Sequence, residues 1–323
     1  MKLPRRRFLY LAASAAALPA VPRIASALDY PARPVHIIVG FAPASGPDIV
    51  ARLVAQRLSQ RLGQQFIVED RPGAGGSIAT QTVVNASADG YTLLLATTAN
   101  ATNATLYPNL NFNFIRDVAP IATITHAPFV MVVSLAVPAR VIPEFIAYAK
   151  ANPYKINMAS AGIGSTTHLC YELFKMMTGL ELVHVPYRAS YLSDLIGGQV
   201  QGAFSTVTQA IEYVRDGKLR ALAVTSTTRV DALPDVPSVG EFVPGYEAEG
   251  WFGIVAPKTT RAEIIGKLNE EINAVVADPK TKAQLLDLGA PPMSMTPPEF
   301  GKLIADQTEK WAKVINFAGI KLE

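Results

Sequence analysis

Two loops of small residues stand where a buried strand is predicted to pass into a helix. The first reads Ala42-Pro43-Ala44-Ser45-Gly46-Pro47-Asp48 and follows the apolar run from Val35 to Phe41. The second reads Ser160-Ala161-Gly162-Ile163-Gly164-Ser165-Thr166-Thr167-His168 and follows the run KINMA. The first N–H groups of a helix have no partner within the helix, and the helix dipole is positive at that end. Each loop therefore offers a place for an anion such as a carboxylate.

A second interpretation of these loops requires no ligand. Tight turns between a strand and a helix use Gly, Ser and Asp because the backbone and the helix cap need them. Ser165 or Thr166 can cap the second helix, and we expect Asp48 to accept from backbone N–H groups of its own loop. One loop taken alone leaves both interpretations open.

Residues for catalysis or for metal binding are not assembled in the sequence. The four histidines lack an H-x-x-x-H spacing, and the single Cys170, expected to be a small buried residue, permits neither an internal disulfide nor a cysteine metal site. No G-x-S-x-G elbow and no complete G-x-x-x-x-G-K-[ST] pattern is present. An exported hydrolase that uses His168 is kept as an alternative. We predict no catalytic residue, no metal and no cofactor.

Residues 1–27 have the pattern of an export signal. Basic residues precede the apolar stretch from Phe8 to Leu18, and Ala25-Ser26-Ala27 forms an A-x-A cleavage site. The run Arg5-Arg6-Arg7-Phe8-Leu9 fits the twin-arginine pattern, and the apolar stretch is too short to span a bilayer. The sequence thus predicts cleavage after Ala27 and a soluble protein in the periplasm.

The positive charge of the chain resides in this predicted signal. The full chain has 29 Lys and Arg against 26 Asp and Glu, and residues 1–27 contain five of the basic residues and none of the acidic ones. The remainder has 24 basic and 26 acidic residues, a net charge near −2. Composition therefore gives no argument for binding nucleic acid.

Alternating strand-like and helix-like runs predict an α/β protein with largely parallel sheets. Every glycine-rich loop falls at the carboxyl end of a strand, where ligands bind in open α/β sheets. Two apolar segments, Ile121 to Val137 and Glu249 to Lys258, are candidate crossings between domains. They predict one domain from residues 28–129 and 252–323, a second from residues 130–251, and a ligand cleft between the two.

Several segments together resemble one family. "VHIIVGFAPASGPDIVARLVAQRL", "VEDRPGAGGSIA", "ADGYTLLLAT", "ASAGIGSTTHL", "VPYRAS" and "WFGIVAPK" are similar, in this order, to segments of the Bug family. Bug proteins are the extracytoplasmic solute receptors of tripartite tricarboxylate transporters. The resemblance covers essentially the whole mature chain.

This resemblance implies a two-domain periplasmic-binding-protein fold of the Venus flytrap type, without catalysis. It implies a small organic acid as the ligand, held largely by backbone amides and ordered water, and the membrane subunits of a transporter as partners. We expect a monomer that binds a di- or aromatic carboxylate and no nucleic acid. A receptor that signals to a membrane sensor and a neutral amide-type ligand are the alternatives.

Carried over to this sequence, the resemblance also assigns ligand-binding residues. In the first domain they are Phe41, Pro43, Ala44, Ser45, Gly46, Asp48, Gly75, Thr97 and Thr98. In the second domain they are Ser160, Ala161, Gly164, Ser165, Thr166, His168, Tyr187, Arg188 and Ser205. Whether Arg188 contacts a ligand or only braces its turn is left open, and Tyr187 and Tyr191 are candidates for the cleft wall.

The sequence departs from the family pattern at several of these positions. Ala189 stands where the family usually has glycine, and Ser205 stands where it often has an acidic residue. The first loop has Ala44-Ser45-Gly46 where the family commonly has adjacent glycines. Loss of a carboxylate at position 205 makes that wall less negative, so an amino-bearing ligand is less expected than an acid.

Overall fold

The computed structural model describes residues 30–107 and 109–319. The predicted export signal lies outside the described residues. Among the helices that the structure describes, none combines the length and the apolar composition needed to cross a bilayer.

Within residues 30–107 and 109–319, ten strands form two five-stranded sheets. The first sheet contains β1 (Val35–Val39), β2 (Phe66–Asp70), β3 (Thr92–Thr97), β4 (Val118–Ala127) and β10 (Gly250–Pro257), in the order β2-β1-β3-β10-β4. The second sheet contains β5 (Phe129–Val133), β6 (Asn157–Ser160), β7 (Val183–Pro186), β8 (Gly202–Thr206) and β9 (Arg220–Val224), in the order β7-β6-β8-β5-β9. Each sheet with its covering helices is called a lobe below. The predicted α/β class is confirmed.

The described helices connect and cover these strands. They are α1 (Gly46–Leu62), α2 (Ser77–Val84), α3 (Thr98–Leu106), α4 (Phe114–Asp117), α5 (Ile142–Ala151), α6 (Thr166–Thr178), α7 (Leu192–Ile196), α8 (Val207–Arg215), α9 (Ala262–Ala277), α10 (Pro279–Asp287) and α11 (Pro297–Ala318). Short 3₁₀ turns cover Ala74–Gly76 and Val239–Glu241.

One strand in each sheet runs in the direction opposite to the other four. β1 is parallel to β2 and β3, and β6 is parallel to β7 and β8, but β10 is antiparallel to both its neighbours and so is β5. Four of the five strands in each sheet therefore run in the same direction, so the prediction of largely parallel sheets is confirmed, with β5 and β10 as the exceptions. These two strands each enter their sheet from the other lobe, so no crossover helix within one sheet sets their direction.

The chain passes between the lobes twice. Only Pro128 separates β4 from β5, and residues 225–249 connect β9 to β10. Both passages fall in the two apolar segments proposed as crossings or directly beside them. The domain limits at 129/130 and 251/252 stay a prediction.

Apolar side chains cover both faces of each sheet. In the first lobe, Val54 of α1 and Leu268 of α9 pack on one face, whereas Val83 and Phe300 pack on the other. Strand β5 in the second lobe is buried along its whole length. Strands enclosed in this way become continuous apolar runs, which explains why these segments stand out in the sequence. Cys170 is fully buried in the second lobe, as expected.

Helix α11 joins the two lobes on the outside. Its early residues Phe300 and Ile304 belong to an apolar cluster of the first lobe, together with Trp251. Its later residues Trp311 and Ile315 belong to a cluster of the second lobe. One helix therefore contributes to both cores.

Candidate functional site

A cleft between the lobes has two adjoining chambers. The outer chamber has a volume of about 310 Å³ and is lined by Gly40, Phe41, Ala42, Ser45, Pro72, Gly73, Ala74, Gly75, Tyr107, Ala161, Gly162, Ile163, Pro186, Tyr187, Arg188, Ala189, Ser190, Tyr191 and Gln209. The inner chamber has a volume of about 30 Å³ and is lined by Phe41, Ser45, Pro47, Thr97, Phe129, Ala161, Ser165, Thr166, Thr167, Thr206, Gln209 and Phe252. Four residues line both chambers, so the two are continuous.

The inner chamber lies among the beginnings of four helices. Its lining includes the residue that precedes each helix: Ser45 before α1, Thr97 before α3, Ser165 before α6 and Thr206 before α8. Each of these helices follows a strand, so the chamber is at the carboxyl ends of strands from both sheets. The two loops singled out in the sequence meet here. Helix N-termini from both lobes thus create a positive potential at one point.

Ser45 and Ser165 occupy equivalent positions but use their hydroxyl groups differently. Ser165 Oγ accepts from the backbone N–H of His168 at 3.3 Å and donates to the carbonyl of Gly162 at 2.6 Å. Ser45 makes no capping hydrogen bond, and its buried Oγ has no hydrogen-bond partner among the described residues. Since an unpaired buried hydroxyl costs free energy, Ser45 Oγ is the atom best placed to bind something in the cleft.

Asp48 stabilises the first loop through its side-chain carboxylate. Its carboxylate accepts from the backbone N–H of Ala44 at 2.7 Å and pairs with Arg52 Nε at 2.6 Å. Ala44 has a φ of 60°, a conformation that is uncommon for a residue with a Cβ, and the bond from Asp48 stabilises it. Asp48 is buried and does not line either chamber.

A second carboxyl group lies beside Asp48. Arg52 Nη2 donates to Asp70 Oδ2 at 2.7 Å, so one guanidinium serves both carboxyl groups. Burial, followed by the neighbouring Asp48 carboxylate, raises the pKa of Asp70 to about 6. The residues after Asp70 lead directly into the glycine loop at Pro72 to Gly75, which lines the outer chamber.

The second lobe contributes Tyr187, Tyr191 and Arg188 to the wall of the cleft. Tyr187 OH donates to Asp194 Oδ2 at 2.8 Å, and burial raises the pKa of Tyr187 to about 12, so the phenol stays protonated. Tyr191 is buried, with its hydroxyl 3.0 Å from Ser205 Oγ. Among the described residues that line the two chambers, Arg188 is the one with a charged side chain, and it is exposed at the rim.

The lobes touch each other across the cleft. Tyr107 OH in the first lobe donates to the carbonyl of Ile163 in the second lobe at 2.9 Å. A Cβ placed on Gly75 would lie 3.0 Å from the carbonyl carbon of Gly164. The 3₁₀ turn at Ala74–Gly76 and the loop that precedes α6 are therefore packed together.

Residues 50–320 match the family model for the tripartite tricarboxylate transporter family receptor, TctC. The chain belongs to this receptor family. The resemblance to Bug proteins is confirmed by its 36% identity to BugT of Bordetella pertussis, over 92% of this chain and 93% of BugT. A protein of Agrobacterium vitis is also 36% identical, over 93% of this chain and 88% of its own length.

Solved structures of similar proteins confirm the two-lobed solute-receptor fold. The R. palustris protein Rpa4515 with adipate matches with a TM-score of 0.88 and 34% identity, over 91% of this chain and 99% of that one. MatC from Rhodopseudomonas palustris with bound malate matches with a TM-score of 0.85 and 28% identity, over 88% of this chain and all of that one. The family consists of solute receptors, not enzymes.

Half of the residues that the sequence resemblance assigns to ligand binding line the two chambers. These are Phe41, Ser45, Gly75, Thr97, Ala161, Ser165, Thr166, Tyr187 and Arg188. The others lie outside the lining: Pro43, Ala44, Gly46, Asp48, Thr98, Ser160, Gly164, His168 and Ser205.

The side chains outside the lining have partners elsewhere in the receptor. His168 Nδ1 accepts from the N–H of Gly164 at 3.3 Å, and its ring stacks on His184 with centroids 4.2 Å apart. Thr98 Oγ1 accepts from the backbone N–H of Trp251 at 3.1 Å. Burial and the neighbouring His168 lower the pKa of His184 to about 3, so it is neutral where it meets Ser160 Oγ at 2.7 Å. In the described part of the chain, no three His, Cys, Asp or Glu residues are grouped so as to hold a metal ion.

Sequence reasoning missed several lining residues of the receptor. Thr206 and Gln209 stand at the beginning of α8, directly after β8, so the same strand-end signal that drew attention to Ser45 could have found them. Tyr107 ends α3 in the first lobe, and no local pattern indicates that it reaches the second lobe.

Proposed function

We propose that this receptor captures a small carboxylic acid between its lobes in the periplasm and delivers it to the membrane subunits of a tripartite transporter. The observation that carries the proposal is the unpaired, buried hydroxyl of Ser45, which faces the inner chamber at the N-terminus of α1. The N-terminus of α6 from the other lobe lines the same chamber.

The charge of the cleft favours an anion. In the part of the chain that the structure describes, no residue lining the two chambers is acidic, and Arg188 is basic. An anion at a helix N-terminus gains about 0.3 to 1 kcal/mol from the dipole, and up to about 2 kcal/mol when partly buried. Two such termini and a hydroxyl donor can hold a carboxylate without a dedicated cation at that end.

The outer chamber sets the size and character of the rest of the ligand. A volume of about 310 Å³ suits a molecule of a few to about a dozen non-hydrogen atoms. Phe41, Tyr107 and Ile163 make much of its wall apolar, so both aliphatic and aromatic acids fit. The relatives solved with adipate and with malate carry acids in the same fold, which supports a carboxylate ligand here.

A thermal-shift panel tests this function. The mature chain is heated with mono-, di- and tricarboxylates, aromatic acids, and the methyl ester and amide of each acid. An acid at 100 times its Kd stabilises the fold by about 2.7 kcal/mol, so its melting temperature rises measurably. We expect acids to raise it and their esters to fail, because an ester lacks the anion. Equal shifts from acids and from esters or amides would contradict the proposal.

Export through the twin-arginine route is part of the proposal. Its support is the sequence of residues 1–27, with Arg5 and Arg6 before the apolar stretch. Changing both arginines to lysine should leave unprocessed precursor in the cytoplasm, as seen by fractionation. Processing that continues unchanged in cells without the twin-arginine machinery would instead show general secretion.

A further inference from the structure

Gln209 is the polar side chain through which α8 reaches both chambers. It is 8% exposed and lines the outer and the inner chamber, as does Ser45. Its position is fixed at the backbone, because its N–H donates to Thr206 Oγ1 at 3.2 Å. Neither the assignment of site residues nor the family resemblance includes it.

Hydroxyl groups behind Gln209 determine which way its amide points. Tyr191 OH donates to Ser205 Oγ at 3.0 Å, and Ser205 Oγ donates to Gln209 Oε1 at 3.3 Å. Tyr191 OH is also 3.3 Å from the same oxygen. Because the Tyr191 proton goes to Ser205 Oγ and the Ser205 proton goes to Oε1, the amide NH₂ is left on the side that faces the cleft. Burial keeps the Tyr191 hydroxyl protonated, so it remains a donor.

Among the described residues that line the two chambers, none carries a carboxylate that could pair with an ammonium group. Ser45 Oγ is unpaired beside the same chambers, and Arg188 lies at the rim. The carbonyl of Gly162 accepts from Ser165 Oγ, and the carbonyl of Ile163 accepts from Tyr107 OH. An ammonium group placed here would lose its water and meet only neutral acceptors, such as Ser45 Oγ and backbone carbonyls, while the Gln209 NH₂ and the Arg188 guanidinium would oppose it.

We propose that Gln209 determines specificity by presenting its NH₂ group to the ligand, so that the cleft selects acids without an ammonium group over the corresponding amino acids. Ser205 and Tyr191 act through Gln209 as positioning residues. This inference rests on the proposed capture of a carboxylic acid, and it narrows the class of acid.

Matched pairs of ligands test the orientation of the amide. Calorimetric titrations of the mature chain compare malate with aspartate, 2-hydroxyglutarate with glutamate, and adipate with 2-aminoadipate. In the pair whose acid binds best, we expect the acid to bind at least about tenfold more tightly than its amino counterpart, the effect of about one charge-assisted hydrogen bond. Gln209→Leu should weaken that acid about tenfold and reduce the preference.

Three further measurements separate specificity from damage to the fold. Gln65→Leu changes an exposed glutamine at the opposite end of the first sheet, and it should leave every affinity unchanged. Ser205→Ala keeps Gln209 but removes one donor to its Oε1. The preference for an acid over its matched amino acid should therefore decrease, but less than in Gln209→Leu, and urea unfolding should stay cooperative. Urea unfolding of the Gln209 variant confirms that it is folded when its affinity is measured.

Each outcome decides a different point. If an amino acid binds as tightly as its matched acid, or if Gln209→Leu leaves the preference intact, the role of Gln209 is contradicted while carboxylate capture stands. If none of the three acids binds and the acid panel also fails, the proposed function is contradicted, and the inference falls with it. If other acids score in the panel but these three do not, the proposed selection among aliphatic acids is contradicted.

Discussion

Gly46 of the first lobe lies directly against Thr206 of the second lobe. A Cβ on Gly46 would come within 2.8 Å of Thr206 Cβ, and closer still to Thr206 Oγ1. The contact joins the first residue of α1 to the residue that caps α8. Because the contact brings the two lobes together at the inner chamber, position 46 tolerates a side chain only when the cleft is more open.

Gly46→Ala should therefore hinder closure. We expect ligand affinity to fall at least about tenfold, since the closed state is disfavoured by more than about 1.4 kcal/mol. The radius of gyration from small-angle scattering should decrease on ligand saturation in the wild type and not in the variant. Gly266→Ala is the matched control, because that glycine lies within α9 and a Cβ there meets nothing within 4 Å. Normal affinity and normal compaction in the Gly46 variant would contradict closure by lobe contact.

The hydroxyl of Tyr107 provides a second test of closure. Its hydrogen bond to the Ile163 carbonyl joins the two lobes, and a typical hydrogen bond contributes about 0.5 to 1.5 kcal/mol. Tyr107→Phe should raise the Kd of the ligand by roughly two- to tenfold, chiefly through faster dissociation in stopped-flow measurements. Tyr213→Phe on α8 serves as the control. A dissociation rate that does not change would show that this bond is not part of the closed, liganded state.

The fold is only partly readable from local sequence. The apolar run from Val35 to Phe41 predicts a strand, and the structure forms it at Val35–Val39. The amphipathic pattern that follows predicts a helix, which forms at Gly46–Leu62. Local sequence does not indicate helix α3, because Thr and Asn are weak helix formers. Tertiary bonds stabilise it instead, since Asn100 Nδ2 donates to Thr80 Oγ1 at 2.8 Å and Asn103 Nδ2 donates to the Gly75 carbonyl at 2.9 Å.

In the candidate site, too, the features set by neighbouring residues can be predicted from the sequence, and those set by distant residues cannot. The loop at Ser45 was found because a strand end and a helix start are adjacent in the sequence. The orientation of Gln209 depends on Tyr191, which comes from a different element of the second lobe. Such a relationship between distant residues leaves no periodic pattern in the chain.

Asp70 should make stability depend on pH. Its pKa is raised from 3.8 to about 6 in the folded protein, first by burial and then by Asp48, so ionisation disfavours the folded state. The stabilising contribution of Asp70 to the free energy of unfolding is thus fully present below about pH 4. It is lost as the pH rises through about 6. Asp70→Asn keeps a neutral group, so its free energy of unfolding relative to wild type should rise by about 1 kcal/mol between pH 5 and pH 7.5.

Urea unfolding of both proteins at the two pH values measures this difference. Asp235→Asn, at an exposed position, is the control for a charge change without burial. Parallel pH dependences for the Asp70 variant and the wild type would contradict a raised pKa in the folded state.

A crystal structure with the acid that binds best tests the central claim most directly. We expect electron density for the acid in the cleft, with a carboxylate oxygen within hydrogen-bond distance of Ser45 Oγ or one ordered water away, between the N-termini of α1 and α6. The lobes should be in contact at Gly46 and Thr206. A ligand outside the two chambers, or one whose carboxylate points away from Ser45 and both helix N-termini, would contradict the account.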